Sequence, residues 1–183
     1  YVAALNRVTK VMVNDVTSPV AAARYYAYIT LASNEYCSLL NHQHNLSGLL
    51  SGYQVPALPD SLKQADLPFG AVYVVWKMGE RLLPSGPALK PEVDSFLHLG
   101  ERDLSPSVYS ATVGLANLVV DHVLQYSRTD GFSKLSGYRK YTPTDGDAYW
   151  KPTPPEFRAP IEPNWMRIRP FVIDSAQQFI PKR

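Results

Sequence analysis

The placement of proline constrains this chain more than any other feature of its sequence. Of 16 prolines in 183 residues, Pro19, Pro68, Pro91 and Pro106 each head a segment of helical apolar patterning. There a missing amide is harmless, because first-turn N–H groups have no intrahelical partner. Ser18 and Ser105 stand directly before two of them, with hydroxyls suited to accept an orphan amide. The spacing predicts helices from Pro19 to about Leu40, from Leu67 to Leu83, from Pro91 to about Leu99 and from Pro106 to about Thr129. Val72, Val74 and Val75 would also suit a strand, but no partner strand is evident in an otherwise helical chain. Ahead of these, Val2 to Val13 places Ala4, Leu5, Val8, Val11 and Met12 on one side, opposite Asn6, Arg7 and Lys10, the pattern of an amphipathic helix.

Within the second helix Ala21, Ala22, Ala23, Ala27 and Ala32 allow close packing, while Tyr25, Tyr26, Tyr28 and Tyr36 add large amphipathic surfaces. In the last helix Ser107, Ser110, Ala111 and Gly114 form a small-residue stripe open to another backbone, and Leu115, Leu118, Val119, Val123 and Leu124 form a core face. Gly70 and Gly79 blur the ends of the third helix. Asn41 to Asp60 reads as a long loop, Pro84-Ser-Gly-Pro87 as a break, and Asp130-Gly131 as a stop. From Phe132 to Pro170 helical periodicity disappears: prolines alternate with Tyr138, Tyr141, Tyr149, Trp150, Phe157 and Trp165. Proline removes backbone donors and the rings need apolar surface, which together predict an extended arm laid on the helices. The expectation is an all-α fold: residues 1–131 as a bundle of four or five helices, and residues 132–183 as an irregular Pro/aromatic-rich arm packed on it.

A hydrophobic content of 45% against 19% charged residues supplies a core. The net charge of +2, with no basic cluster beyond Arg139-Lys140, excludes nucleic acid as a partner. The apolar stretches Leu67 to Trp76 and Leu115 to Val120 are too short to span a membrane, so the chain is expected to be soluble. Cys37, the one cysteine, reads as a buried small side chain.

Candidate chemistry is sparse. His42-Gln-His44 could offer two imidazoles to a metal but brings no carboxylate or thiol, and reads as a solvated loop. Asp121-His122 has the composition of an acid–base pair, yet neighbours on a helix point about 100° apart, which makes one a surface charge and the other a partly packed ring. Asn45-Leu-Ser47 fits a glycosylation sequon, Ser38 has no partnered histidine and acid, and there is no glycine-rich phosphate loop. Asp15 is expected to cap the helix that follows it, and Arg24 to pair with a carboxylate or carbonyl.

Several short strings carry a likeness: Asp15-Val-Thr-Ser-Pro19, Arg24-Tyr-Tyr-Ala-Tyr28, Tyr138-Arg-Lys-Tyr-Thr-Pro-Thr144, Trp150-Lys-Pro-Thr-Pro-Pro155, Pro163-Asn-Trp165, Arg169-Pro-Phe171 and Ile180-Pro-Lys-Arg183. With them the chain resembles the N-terminal helical half of the vanadium-dependent haloperoxidase and type 2 phosphatidic acid phosphatase superfamily, nearest its bacterial phosphatase-like members. That superfamily binds phosphate or vanadate through a lysine spaced before Arg-Pro, then Pro-Ser-Gly-His, then Ser-Arg with a following histidine. Three near misses occur here: Arg169-Pro170 with Glu162 in the lysine's place, Pro84-Ser85-Gly86 followed by Pro87, and Ser127-Arg128 followed by Lys134. Their order is wrong as well.

The resemblance therefore implies no catalytic, cofactor-binding or metal residue in this chain, with vanadate or phosphate held by a catalytic C-terminal half beyond Arg183. It implies a scaffold of a haloperoxidase-like acid phosphatase, exported from the cytoplasm, whose partner is its own catalytic half. An exposed apolar docking face that could pair two copies is expected with it. The alternative is an independent envelope binding module that uses exposed Tyr and Trp of the arm.

Overall fold

The structure, a computed structural model, describes residues 1–43 and 45–181, with backbone alone for Ala176 and Gln177. His44, Lys182 and Arg183 lie outside the described residues, so the His42/His44 pair is represented by His42 alone. Five α-helices follow in order: α1 Val2–Asn14, α2 Pro19–Asn41, α3 Leu67–Leu82, α4 Lys90–Asp103 and α5 Pro106–Arg128. No strand occurs among the described residues, and the valines of α3 are helical. The all-α bundle matches the expectation.

The start signals act locally at the heads of α2 and α3. Ser18 Oγ accepts Ala21 N–H at 3.4 Å at the head of α2, and Asp66 Oδ1 accepts Phe69 N–H at 2.8 Å at the head of α3. Ser105 holds the N-cap position of α5 but makes no capping bond; its hydroxyl lies 3.5 Å from that of Ser107. Proline supplies that start without the serine's help. Asp15 does not cap α2 either. Ser18 has taken that position, and Asp15 Oδ2 instead accepts Ser85 N–H at 3.2 Å, fastening the α1–α2 turn to the corner after α3.

Helix α2 lies at the centre, against α3 on one side and α5 on another. Tyr28, Ile29, Ala32 and Tyr36 are fully enclosed. Burial of a large side chain contributes about 1.5–3 kcal/mol, and rings deliver the most area per residue. Gly70 is the condition for the α2–α3 contact, because a Cβ there would overlap the Tyr36 ring. The Tyr36 hydroxyl then donates to Asp66 O at 2.8 Å, closing the start of α3 over it. Gly79 sits against Val8 of α1 and Leu89. Both glycines therefore mark interior close approaches, not helix ends.

Helix α5 corrects two expectations. Ser107 and Ser110 face solvent and Gly114 lies under Leu62 of a 3-10 turn, so of the small-residue stripe Ala111 is the member that is buried; the buried face begins at Ala111 and Thr112. Thr112 Oγ1 accepts Asp66 N–H at 2.7 Å, the polar tie between α5 and the head of α3. The segment Pro106–Gly137 is long and apolar enough to cross a membrane by length and composition. Unbroken apolar runs understate such a helix, since small and hydroxyl residues interrupt them. In the fold its apolar face, from Ala111 through Leu115, Val119 and Val123, is buried in the bundle core.

Beyond α5 the described residues make only short 3-10 turns, Phe132–Gly137, Trp165–Arg167 and Ala176–Phe179. The arm is not uniform. Tyr138, Tyr149, Trp150 and Phe157 are exposed, whereas Phe171 lies 5.2 Å from the Tyr28 ring and accepts Ser51 N–H on its carbonyl at 2.7 Å.

Candidate functional site

Two buried polar clusters flank α2, and between them they hold Arg24, Asp130 and Glu35, the buried Arg, Asp and Glu side chains among the described residues. The first is built at the end of α5. Gly131, at φ +92°, turns the chain so that Asp130 points back toward α2. Asp130 Oδ1 accepts Phe132 N–H at 2.8 Å, while Oδ2 accepts Arg24 Nε–H at 2.6 Å and the Tyr28 hydroxyl at 3.0 Å. Arg24 NH2 also donates to Ser127 O at 3.0 Å, and its guanidinium lies 4.3 Å from the Phe132 ring centroid and 4.9 Å from that of Tyr28. Arg24 pairs with a carboxylate and a carbonyl, as its sequence context suggested.

Arg169 approaches the same carboxylate's surroundings from the arm. Its backbone N–H donates to Asp130 O at 2.8 Å, NH1 to Thr129 Oγ1 at 2.7 Å and NH2 to Tyr126 O at 2.9 Å, with the guanidinium 3.7 Å from the Tyr126 ring centroid. Beside it an apolar cleft of about 550 Å³ opens between α2 and the arm, walled by Ala23, Ala27, Trp165, Ile168 and Phe171. Burial, reinforced by the neighbouring Asp130 carboxylate, pushes the Tyr28 phenol far above its ordinary range, so it is a fixed donor and no proton shuttle. Both arginines are engaged by internal partners. The cluster is chemically a clamp that joins α2, the end of α5 and the arm.

The second cluster escaped the sequence reading. Glu35 is completely buried on α2; Oε2 accepts the Tyr53 hydroxyl at 3.0 Å and Oε1 has no partner. The Tyr53 ring meets His122 and Tyr126 edge-on at 5.4 and 4.9 Å, and His122 Nε2 donates to Gln54 O. Burial raises the Glu35 carboxyl above the ordinary glutamate range, against the opposing pull of the Tyr53 hydrogen bond and of His122. One signal was present: Glu35 stands on the face shared by Tyr28, Ala32, Tyr36 and Leu39, where a charge is out of place.

The other candidates are dispersed. Asp121 pairs with Arg81 at the surface while His122 packs on Tyr53, so the two point apart as their helical spacing requires. His42 terminates α2 in a left-handed conformation, exposed. Asn45 Oδ1 accepts Ser47 N–H at 2.6 Å in a local turn. Cys37 is half-buried and burial pushes its thiol up, away from the reactive thiolate. Ser38 is buried in α2.

The three near-miss motifs do not form an anion site. Ser85 binds Asp15 in the α3–α4 corner, and a Cβ at Gly86 would strike the Glu80 carbonyl. Ser127 is buried with its hydroxyl donating to Leu124 O at 2.8 Å, while Arg128 and Lys134 are exposed. Arg169 shares the end of α5 with Ser127, but Glu162 lies near Ser18, its carboxylate 3.5 Å from that hydroxyl. No group of three or more His, Cys, Asp or Glu stands close enough for a metal among the described residues.

No family model and no curated protein matches the chain. Among solved structures it is similar to a bacterial vanadium-dependent iodoperoxidase, with 33% identity and a TM-score of 0.86. The similarity covers 98% of this chain and 44% of that one. The chain thus spans less than half the length of the structure it resembles, and the likeness supports the haloperoxidase superfamily.

Proposed function

We propose that the chain is the helical scaffold of a vanadium haloperoxidase-like protein, and that the complete protein oxidises halide with peroxide. The observation that carries this reading is the likeness to the iodoperoxidase along nearly the whole of this chain. The residues present do not fit an oxyanion such as vanadate. Arg24 and Arg169 are tied to Asp130, Tyr126 and Thr129, a carboxylate occupies the place of the superfamily lysine, and neither Ser85 nor Ser127 is followed by the needed histidine. No catalytic step is therefore assigned to these residues. Their role is to hold the core and to receive the protein's own catalytic half, outside the cytoplasm.

The iodoperoxidase likeness favours halide oxidation over the phosphomonoester hydrolysis that the string-level resemblance first pointed to. The test compares the 183-residue chain with a longer polypeptide carrying the sequence that follows it. Both are incubated with vanadate and assayed for iodide oxidation by hydrogen peroxide and for hydrolysis of p-nitrophenyl phosphate. Iodide oxidation by the longer protein alone is the expected result. Activity in the short chain, or a longer protein inert in both assays, overturns the reading.

A further inference from the structure

Glu35 is wholly enclosed, yet one of its two oxygens has nothing to bind. A buried carboxylate in that condition is costly, because the charge has lost water and gained a single hydrogen bond in return. A buried carboxylic acid is far less so. The group that shuts Glu35 in is Tyr53, 2% exposed, which belongs to a segment without helix or strand. Its own backbone bonds are the turns Leu49 N–H to Leu46 O and Tyr53 N–H to Leu50 O, and its Leu46, Leu50, Val55 and Leu58 rest half-buried on the core. Beyond that packing, three polar side-chain ties fasten residues 45–58: Tyr53 to Glu35, His122 to Gln54 O, and the Tyr126 hydroxyl to Ser51 O at 2.9 Å. A fourth tie is backbone, from Ser51 N–H to Phe171 O.

We infer that residues 45–58 form a pH-sensitive strap, closed over Glu35 while its carboxyl carries a proton and released when that proton is lost. The titratable and charged groups facing it are Tyr53 from the strap, His122 and Tyr126 from α5, and Arg169 of the arm, which lies over Tyr126. On α2 itself Tyr28 reaches the same rings through Tyr126. Among these the Tyr53 hydroxyl, by its hydrogen bond, and His122, by its charge, lower the cost of the charged form, and His122 Nε2 is already committed to Gln54.

The sign follows from linkage. The closed form holds its proton to higher pH than an exposed glutamate, so closure is fully stable below the ordinary glutamate pKa of 4.5 and weakens as pH rises to the closed-state value. Within that window the opening equilibrium rises about tenfold per pH unit. Release also frees Phe171 O, so the strap and the last part of the arm loosen together.

The experiment is hydrogen exchange by mass spectrometry on the 183-residue protein from pH 4 to 8, with intrinsic exchange rates divided out. Protection of peptides covering Ser51 and Tyr53 should fall by at least tenfold across this range, while peptides from the middle of α5 stay protected. Glu35→Gln, which keeps an acceptor for Tyr53 and cannot ionise, should flatten the profile. Tyr53→Phe removes the hydrogen bond that favours the carboxylate, and should extend the pH-dependent window upward. A flat wild-type profile overturns the inference, and so does an unchanged slope in Glu35→Gln. If Glu35→Gln does not fold, a Tyr53→Phe window that fails to move upward overturns it equally.

Discussion

The chain carries aromatic residues in two dense groups, and they meet opposite fates. On α2, Tyr25, Tyr28 and Tyr36 are buried, and the last two hydroxyls find an acceptor. In the arm, Tyr149, Trp150 and Phe157 are between 49% and 61% exposed, and Trp150 packs mainly on Tyr141 beside it. The rings are alike; the backbones are not. A helix satisfies its own amides and can be surrounded on all sides, so its rings can be carried into the core with it. A proline-rich irregular segment leaves carbonyls that need water, and that keeps its rings at the surface unless a particular tie draws them in. Phe171 is drawn in by such a tie, through Ser51 and the neighbouring Arg169.

The contrast can be broken most severely at its polar centre. Asp130→Ala leaves the Arg24 guanidinium, 7% exposed, without its carboxylate, and should cost about 3–5 kcal/mol in urea unfolding. A loss under 1 kcal/mol would mean that the cluster is ornamental to the bundle. Next in size, Gly70→Ala forces α3 away from Tyr36 and is expected to lower stability by about 1–3 kcal/mol, with a matching fall in melting temperature. Tyr36→Phe keeps the ring and deletes the hydroxyl with its bond to Asp66 O, which should cost about 1 kcal/mol. If it costs as much as the glycine change, the hydroxyl and not the packing governs the α2–α3 contact. Smallest of all, Trp150→Ala in the arm should stay within about 0.5 kcal/mol of the parent in the same unfolding assay. A large loss there would erase the distinction between the two aromatic groups.

Much of the architecture was legible because it rests on short-range rules. Proline at a first helical turn, serine before two of those prolines, and apolar spacing by threes and fours located all five helices to within a few residues, except that α4 runs on past Leu99 to Asp103. What stayed hidden depends on which face meets which neighbour. Gly70 reads as a weakness in a helix until Tyr36 is known to lie against it. The stripe of Ser107, Ser110, Ala111 and Gly114 has the composition of a packing surface, yet Ser107 and Ser110 face water. Asp15 and Ser18 were equally suited to cap α2, and only the chain's path to Ser85 decides between them. Glu35 and Tyr53 come from different segments whose pairing no local pattern encodes, so that cluster could be suspected from one misplaced charge but not assembled.

The ties made by Arg169 and Phe171 have a consequence for the order of events during synthesis. They join the last part of the chain to Ser51, Tyr126 and Asp130, residues that leave the ribosome much earlier. Until the late segment emerges, Tyr28 and Tyr126 lack the groups that cover them, and the growing polypeptide must hold a partly open seam beside its central helix. Such long-range closure is slow relative to helix formation, and a nascent chain stalled before it would present that seam to chaperones.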